Sequence, residues 1–64
     1  MEVGNRVKLD NNLTEKIFTI VQIYTEKNTS YDTESLIGNV RIECTEGKNT
    51  ITHTVAKSQV SLLD

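Results

Sequence analysis

The sequence predicts an all-β domain of five short strands, and three observations indicate this class. Valine, isoleucine and threonine are abundant whereas alanine occurs once, and β-branched side chains suit a pleated strand better than a helix. Residues 40–55 form two runs of alternating apolar and polar side chains around a glycine-containing centre, which is typical of a β-hairpin. Further short apolar runs at residues 1–9, 17–24 and 60–63 supply the other three strands.

The sequence of the hairpin also predicts its register, that is, which residues of its two strands lie opposite each other. If Gly47 and Lys48 form a two-residue loop, with Gly47 where a type II′ turn needs a positive φ, Glu46 lies opposite Asn49. The apolar face then carries the pairs Cys44–Ile51, Ile42–His53 and Val40–Val55, and the polar face carries Thr45–Thr50, Glu43–Thr52 and Arg41–Thr54. An odd-length loop without a bulge would mix the two faces. We therefore expect Ile42 and Ile51 to be buried and Thr52 to be exposed.

The first two strands lie on either side of an Asx-rich turn. Residues 1–9 place Val3, Val7 and Leu9 on one parity, and Gly4 allows a bend or a close backbone approach before the strand settles. Residues 10–12, Asp-Asn-Asn, predict a turn. Residues 17–24 do not alternate cleanly, which fits a bulged strand, a strand covered on both faces or bent between two sheets, or a regular strand with some apolar residues exposed.

The polar segment, residues 25–35, reads as a long unpatterned loop, and such loops are commonly functional or mobile. Tyr31 is its single aromatic residue. It is either a contact residue at the loop tip or a cover over the core, and both interpretations stay open. After the hairpin, residues 56–59 predict a single 3₁₀ turn before a last strand at residues 60–63.

Length and composition limit the function classes. Residues 1–64 make one domain, and a chain of this size buries only roughly 60% of its unfolded surface, so a closed sheet or an oligomer must supply stability. Seven basic and nine acidic residues are spread along the chain, which argues against a dedicated nucleic-acid surface. No signal peptide or membrane span is recognisable, so we expect a cytoplasmic protein with no membrane association.

Three segments resemble the SH3-like small barrels, and in particular the KOW-type and Tudor-type barrels and small bacterial and phage proteins of that fold. Residues 3–9, Val-Gly-Asn-Arg-Val-Lys-Leu, resemble the opening "x-G-D-x-V-x-L", with Asn5 in place of the acidic residue. Residues 18–23 resemble the second strand of that group, and residues 55–60 its closing turn. The resemblance implies a five-stranded SH3-like small barrel with a 3₁₀ turn before the last strand.

The same resemblance implies binding through loops at one barrel end, to nucleic acid, to ribosomal or transcription components, or to modified peptide side chains. An aromatic cage or a proline groove needs several convergent rings. This chain has only Phe18, Tyr24 and Tyr31, and Phe18 is needed in the core. Neither of those two binding modes is therefore expected.

The residues needed for catalysis or metal binding are scarce. Cys44 and His53 are diagonal neighbours in the predicted hairpin, but on its apolar face, where a thiol packs as a core group. We expect His53 to bond backbone through one nitrogen, and we expect no enzyme activity, cofactor or metal. Single cysteine and histidine residues also make a disulfide or a zinc cage implausible.

Two functions remain as hypotheses, and the oligomeric state stays open. The first is a non-catalytic protein-interaction module, a small accessory protein of a bacterium or phage, with Tyr24, Tyr31 and Asp32 as contact residues. The second is a KOW-like nucleic-acid-binding domain that uses Arg6, Lys8 and Arg41 if the fold brings them together.

Overall fold

The computed structural model describes residues 1–10 and 16–63. Five antiparallel strands form one sheet, in the spatial order β4-β3-β2-β1-β5. In chain order the strands are β1 (Arg6–Leu9), β2 (Phe18–Ile23), β3 (Asn39–Glu46), β4 (Asn49–Ala56) and β5 (Val60–Leu62). Two 3₁₀ helices, Tyr31–Leu36 and Lys57–Gln59, lie before β3 and before β5. The all-β class, the five strands and the 3₁₀ turn before the last strand are confirmed, but the sheet is not closed into a barrel.

The central hairpin has the predicted register at every position. Its apolar-face pairs include Cys44–Ile51 and Ile42–His53, and its polar-face pairs include Glu43–Thr52. Gly47 has a φ of +60°, the positive value that the first position of the two-residue loop requires. The turn therefore sets which side chains of β3 and β4 face the core.

A β-bulge in β2 explains the irregular alternation of its sequence. The pairing with β3 shifts between Ile20 and Gln22, so that Ile20 lies opposite Ile42 and Ile23 lies opposite Val40. One extra residue reverses the parity of the strand, and apolar residues before and after it reach the same face. The bulged alternative is confirmed, and the described strands form a single sheet rather than two.

The first strand is shorter than the sequence predicted. A turn precedes β1, in which Asn5 N–H donates to the Glu2 carbonyl and Asn5 Oδ1 accepts from Glu2 N–H at 2.7 Å. Gly4 has a φ of +96°, which confirms the predicted bend. Val3 is 62% exposed and precedes β1, so it does not share the burial of Val7, with which strand parity grouped it. Of the turn predicted at residues 10–12, only Asp10 belongs to the described residues.

The core lies on one face of the sheet. Every described strand except β4 contributes a buried side chain, and the members of this cluster are Val7, Phe18, Ile20, Val40, Ile42 and Val60. Leu9, Ile23, Cys44, Ile51 and Val55 are partly buried against it. Burial of Ile42 is thus confirmed, whereas Ile51 is only partly covered. The apolar face is therefore less covered along β4, one of the two outermost strands, than at the centre of the sheet.

Candidate functional site

Tyr31 is the most exposed large apolar side chain of the described residues. It is 87% exposed, and it begins the 3₁₀ helix Tyr31–Leu36. The alternative in which Tyr31 folds back over the core is therefore wrong. A ring displayed in this way offers apolar area and a hydroxyl group to a partner.

Short-range hydrogen bonds hold the backbone beneath that ring. Ser30 N–H donates to Thr33 Oγ1 at 2.9 Å, and Thr33 N–H donates to the Ser30 carbonyl at 3.0 Å. At the other end of the helix, Ile37 N–H donates to the Glu34 carbonyl at 3.2 Å. Part of the polar segment is thus a 3₁₀ helix, where the sequence predicted an unpatterned loop.

A second turn orders the start of the polar segment. Asn28 N–H donates to the Thr25 carbonyl at 3.2 Å, while Asn28 Oδ1 accepts from Thr25 N–H at 2.8 Å. The Asn28 side-chain amide also donates to the Ile23 carbonyl at the end of β2. This segment is not part of a strand, and bonds of this kind between side chain and backbone take the place of cross-strand hydrogen bonds. The segment that presents Tyr31 is therefore tied to the sheet through β2.

The charge of the polar segment is negative. It contains Glu26, Asp32 and Glu34 but only one base, Lys27, so its formal charge is 1 − 3 = −2. All four of these side chains are exposed. Asp32 directly follows Tyr31 in the chain, and Glu34 belongs to the same 3₁₀ helix. An acidic rim of this kind favours partners with basic surfaces.

Tyr24 does not share the surface of Tyr31. It follows the last residue of β2, is 4% exposed and does not belong to the main core cluster. Its backbone is held at both ends, because Tyr24 N–H donates to the Asn39 carbonyl at 3.1 Å and Gly38 N–H donates to the Tyr24 carbonyl at 3.2 Å. The prediction of Tyr24 as a contact residue is therefore corrected: its ring is buried and anchors the root of the polar segment.

The three candidate basic residues lie on the face of the sheet opposite the core. Arg6 and Lys8 are two positions apart on β1, flanking the buried Val7, and Arg41 lies between the buried Val40 and Ile42 on β3. Strand alternation therefore turns all three side chains away from the core. Arg6 lies opposite Thr19, whose other neighbour is Glu43. An acid, Glu43, thus lies in the same cross-strand row of side chains as Arg6.

Cys44 and His53 occupy the positions that the register predicted, but their surroundings differ. Cys44 is partly buried against the core. His53 is exposed, and its ring approaches the Phe18 ring edge-on, with centroids 5.7 Å apart and an interplanar angle of 63°. An aromatic contact thus takes the place of the expected bond from His53 to backbone. Sequence parity identifies the face of His53, but exposure also depends on β4 being the outermost strand.

Among residues 1–10 and 16–63, no group of three His, Cys, Asp or Glu side chains is arranged to hold a metal ion. No helix in this part of the chain is long and apolar enough to cross a membrane. Comparison of the chain with protein-family models, curated proteins and solved structures found no match. The resemblance to SH3-like barrels therefore stays a prediction.

Proposed function

We propose that this chain is a non-catalytic protein-interaction module and that Tyr31 is the anchor of its binding surface. The observation that carries this proposal is the 87% exposure of an aromatic side chain on a hydrogen-bonded turn. Aromatic anchors contribute much of the binding energy in protein interfaces. A backbone that is ordered before binding lowers the entropic cost of association.

Asp32 and Glu34 define the partner more closely. Both are exposed and belong to the same 3₁₀ helix as Tyr31. We propose a partner that presents an apolar pocket for the ring and basic side chains around it. The wider assignment, a small cytoplasmic accessory protein of a bacterium or phage with an SH3-like fold, belongs to the same proposal. The order of the five strands along the chain and the 3₁₀ turn before β5 support only the SH3-like part of this assignment.

Quantitative affinity capture tests this function. The immobilised chain is exposed to a cell extract at physiological salt, in parallel with Tyr31→Ala and with Thr50→Ala as a control. Thr50 is exposed and lies on β4, so its truncation leaves the polar segment intact. We expect proteins that bind the wild type and Thr50→Ala but not Tyr31→Ala, and whose binding weakens in an Asp32→Lys, Glu34→Lys variant. Equal capture by all the variants, or recovery of nucleic acid alone, would contradict the proposal.

Nucleic-acid binding is the second candidate, because Arg6, Lys8 and Arg41 share the outer face of the sheet. A titration with RNA and DNA at low salt tests it, since phosphate contacts weaken steeply as salt rises. Arg41→Gln is compared with Lys27→Gln, which removes the same charge outside that face. Salt-dependent binding that Arg41→Gln weakens more than Lys27→Gln would favour this function over protein binding. Absent or salt-independent binding would remove it.

A further inference from the structure

β4 is an outermost strand of the sheet, and it is long. It has eight residues, whereas β5 at the other edge has three. Within the described residues, β4 pairs only with β3. The free side of an edge strand presents unpaired N–H and C=O groups that act as a template for a further strand. β4 is therefore the better of the two edges for strand addition.

The pattern of hydrogen bonds identifies the groups on the free side. Lys57 N–H donates to the Gly38 carbonyl at 3.2 Å, which makes positions 38 and 57 a bonded pair in line with the hairpin. Bonded and non-bonded pairs alternate along an antiparallel ladder. The bonded residues of β4 are then Val55, His53, Ile51 and Asn49. The N–H and C=O groups of Thr50, Thr52 and Thr54 therefore point away from β3.

β4 also lacks the features that usually prevent edge strands from pairing. These features are charged side chains, proline and bulges. Residues 49–56 contain no Lys, Arg, Asp, Glu or Pro. The register with β3 continues through eight successive pairs without a shift, in contrast to the bulge between β2 and β3. The free side is thus a regular, uncharged strand.

We infer that β4 binds β4 of a second copy of this chain, antiparallel, to form a continuous ten-stranded sheet across a twofold axis. With the axis at Thr52, that residue lies opposite Thr52 of the partner subunit, and Thr50 lies opposite Thr54 of the partner subunit. Threonine pairs across strands are favourable. On the apolar face, the half-buried Ile51 lies opposite the partner's His53 and covers its exposed ring.

The uncharged centre of β4 makes a second copy a suitable occupant of this edge. Residues 49–56 contain no Lys, Arg, Asp or Glu, so no such side chains face one another within β4 itself. Like charges come closest at the two ends of the pair, where Lys48 lies opposite the partner's Ala56 and one residue from the partner's Lys57, and salt screens this exposed repulsion. Single-strand addition buries less than the roughly 1,000 Å² of a stable interface, so the dimer is weak. This contact is separate from Tyr31, and its presence or absence does not affect the proposed function.

Sedimentation velocity from about 10 μM to about 1 mM, the range in which weak interfaces associate, tests the inference. We expect the wild type to shift from monomer to dimer. Thr52→Lys places two like charges on the axis and should weaken the dimer about tenfold or more. Thr19→Lys is the matched control, because Thr19 is exposed in the same row on the interior strand β2, and it should dimerise like the wild type.

Two further measurements keep the test decisive if a variant is unstable. Thr52→Pro removes an outward N–H group but no hairpin bond, so it too should be monomeric. In the wild type, amide hydrogen exchange at Thr50, Thr52 and Thr54 should slow as concentration rises, while exchange at Ile51 and His53 is slow throughout. A monomeric wild type at about 1 mM, or equal dimerisation by Thr52→Lys and Thr19→Lys, would overturn the inference.

Discussion

Ile42 and His53 lie directly opposite each other in the central hairpin, yet Ile42 is completely buried and His53 is exposed. Both side chains point to the apolar face, so the difference comes from the position of their strands. β3 has neighbours on both sides, whereas β4 is outermost. The apolar face is therefore well covered at its centre and partly open at its edge.

Truncation of the histidine should consequently be mild. His53→Ala removes the edge-on contact with Phe18, and we expect a loss of about 0.5–1.5 kcal/mol in the free energy of unfolding. Phe18→Ala should cost about 3–5 kcal/mol, because Phe18 is 2% exposed and its truncation leaves a cavity in the core. Urea unfolding of both variants checks the order. If His53→Ala lowered the free energy of unfolding more than Phe18→Ala does, the imidazole would make stabilising interactions beyond this ring contact.

The hairpin turn depends on the conformation of Gly47. Its φ is +60°, and no atom beyond Gly47 and its two chain neighbours lies within 4 Å of the position that a Cβ would occupy, so backbone conformation is what limits substitution. Gly47→Val should destabilise by about 1–2 kcal/mol, the cost of the left-handed region for an ordinary residue. Gly47→Asn should cost less, since asparagine tolerates this region. Thermal unfolding measures the stability of both variants, and an equal loss of stability in Gly47→Val and Gly47→Asn would contradict this explanation.

Much of the fold follows from the sequence because it depends on local rules. An even loop at Gly47 and Lys48 determined every pair of the hairpin. The mixed parity of residues 17–24 indicated the bulge between Ile20 and Gln22. The interruption after Val55 indicated the 3₁₀ turn Lys57–Gln59. In each case, two-residue periodicity and its breaks are sufficient.

The rest depends on contacts that periodicity does not encode. The helix Tyr31–Leu36 is held by short-range hydrogen bonds between Ser30 and Thr33 and between Glu34 and Ile37, and these leave no periodic signal in the sequence. Tyr24 is buried because of the loop around it, and His53 is exposed because it lies on an edge strand. Whether a sheet closes into a barrel likewise depends on contacts between residues far apart in the sequence. The order of the strands in the sheet and the burial of individual side chains were therefore the least predictable features.

Tyr31 should contribute to binding without contributing to stability. Because the side chain is 87% exposed, Tyr31→Ala should change the free energy of unfolding by less than about 0.5 kcal/mol. Thr33→Ala removes the acceptor for Ser30 N–H and should loosen the turn while leaving the ring in place. Unfolding and partner capture are measured together on both variants. A marked loss of stability in Tyr31→Ala would mean that the ring packs against the domain.

The face assignment of the hairpin decides which surfaces are available to partners, and a pair of truncations on adjacent strands tests it most directly. Ile42→Ala should cost about 2–5 kcal/mol through lost burial and a residual cavity, a large part of a total stability that is about 5 kcal/mol for a marginal domain. Thr52→Ala should stay within about 1 kcal/mol, reflecting strand propensity and cross-strand contacts. Both are measured by chemical unfolding at low protein concentration, where the chain is a monomer. A greater loss for Thr52→Ala than for Ile42→Ala would contradict the assignment and place Cys44 and His53 on the opposite face.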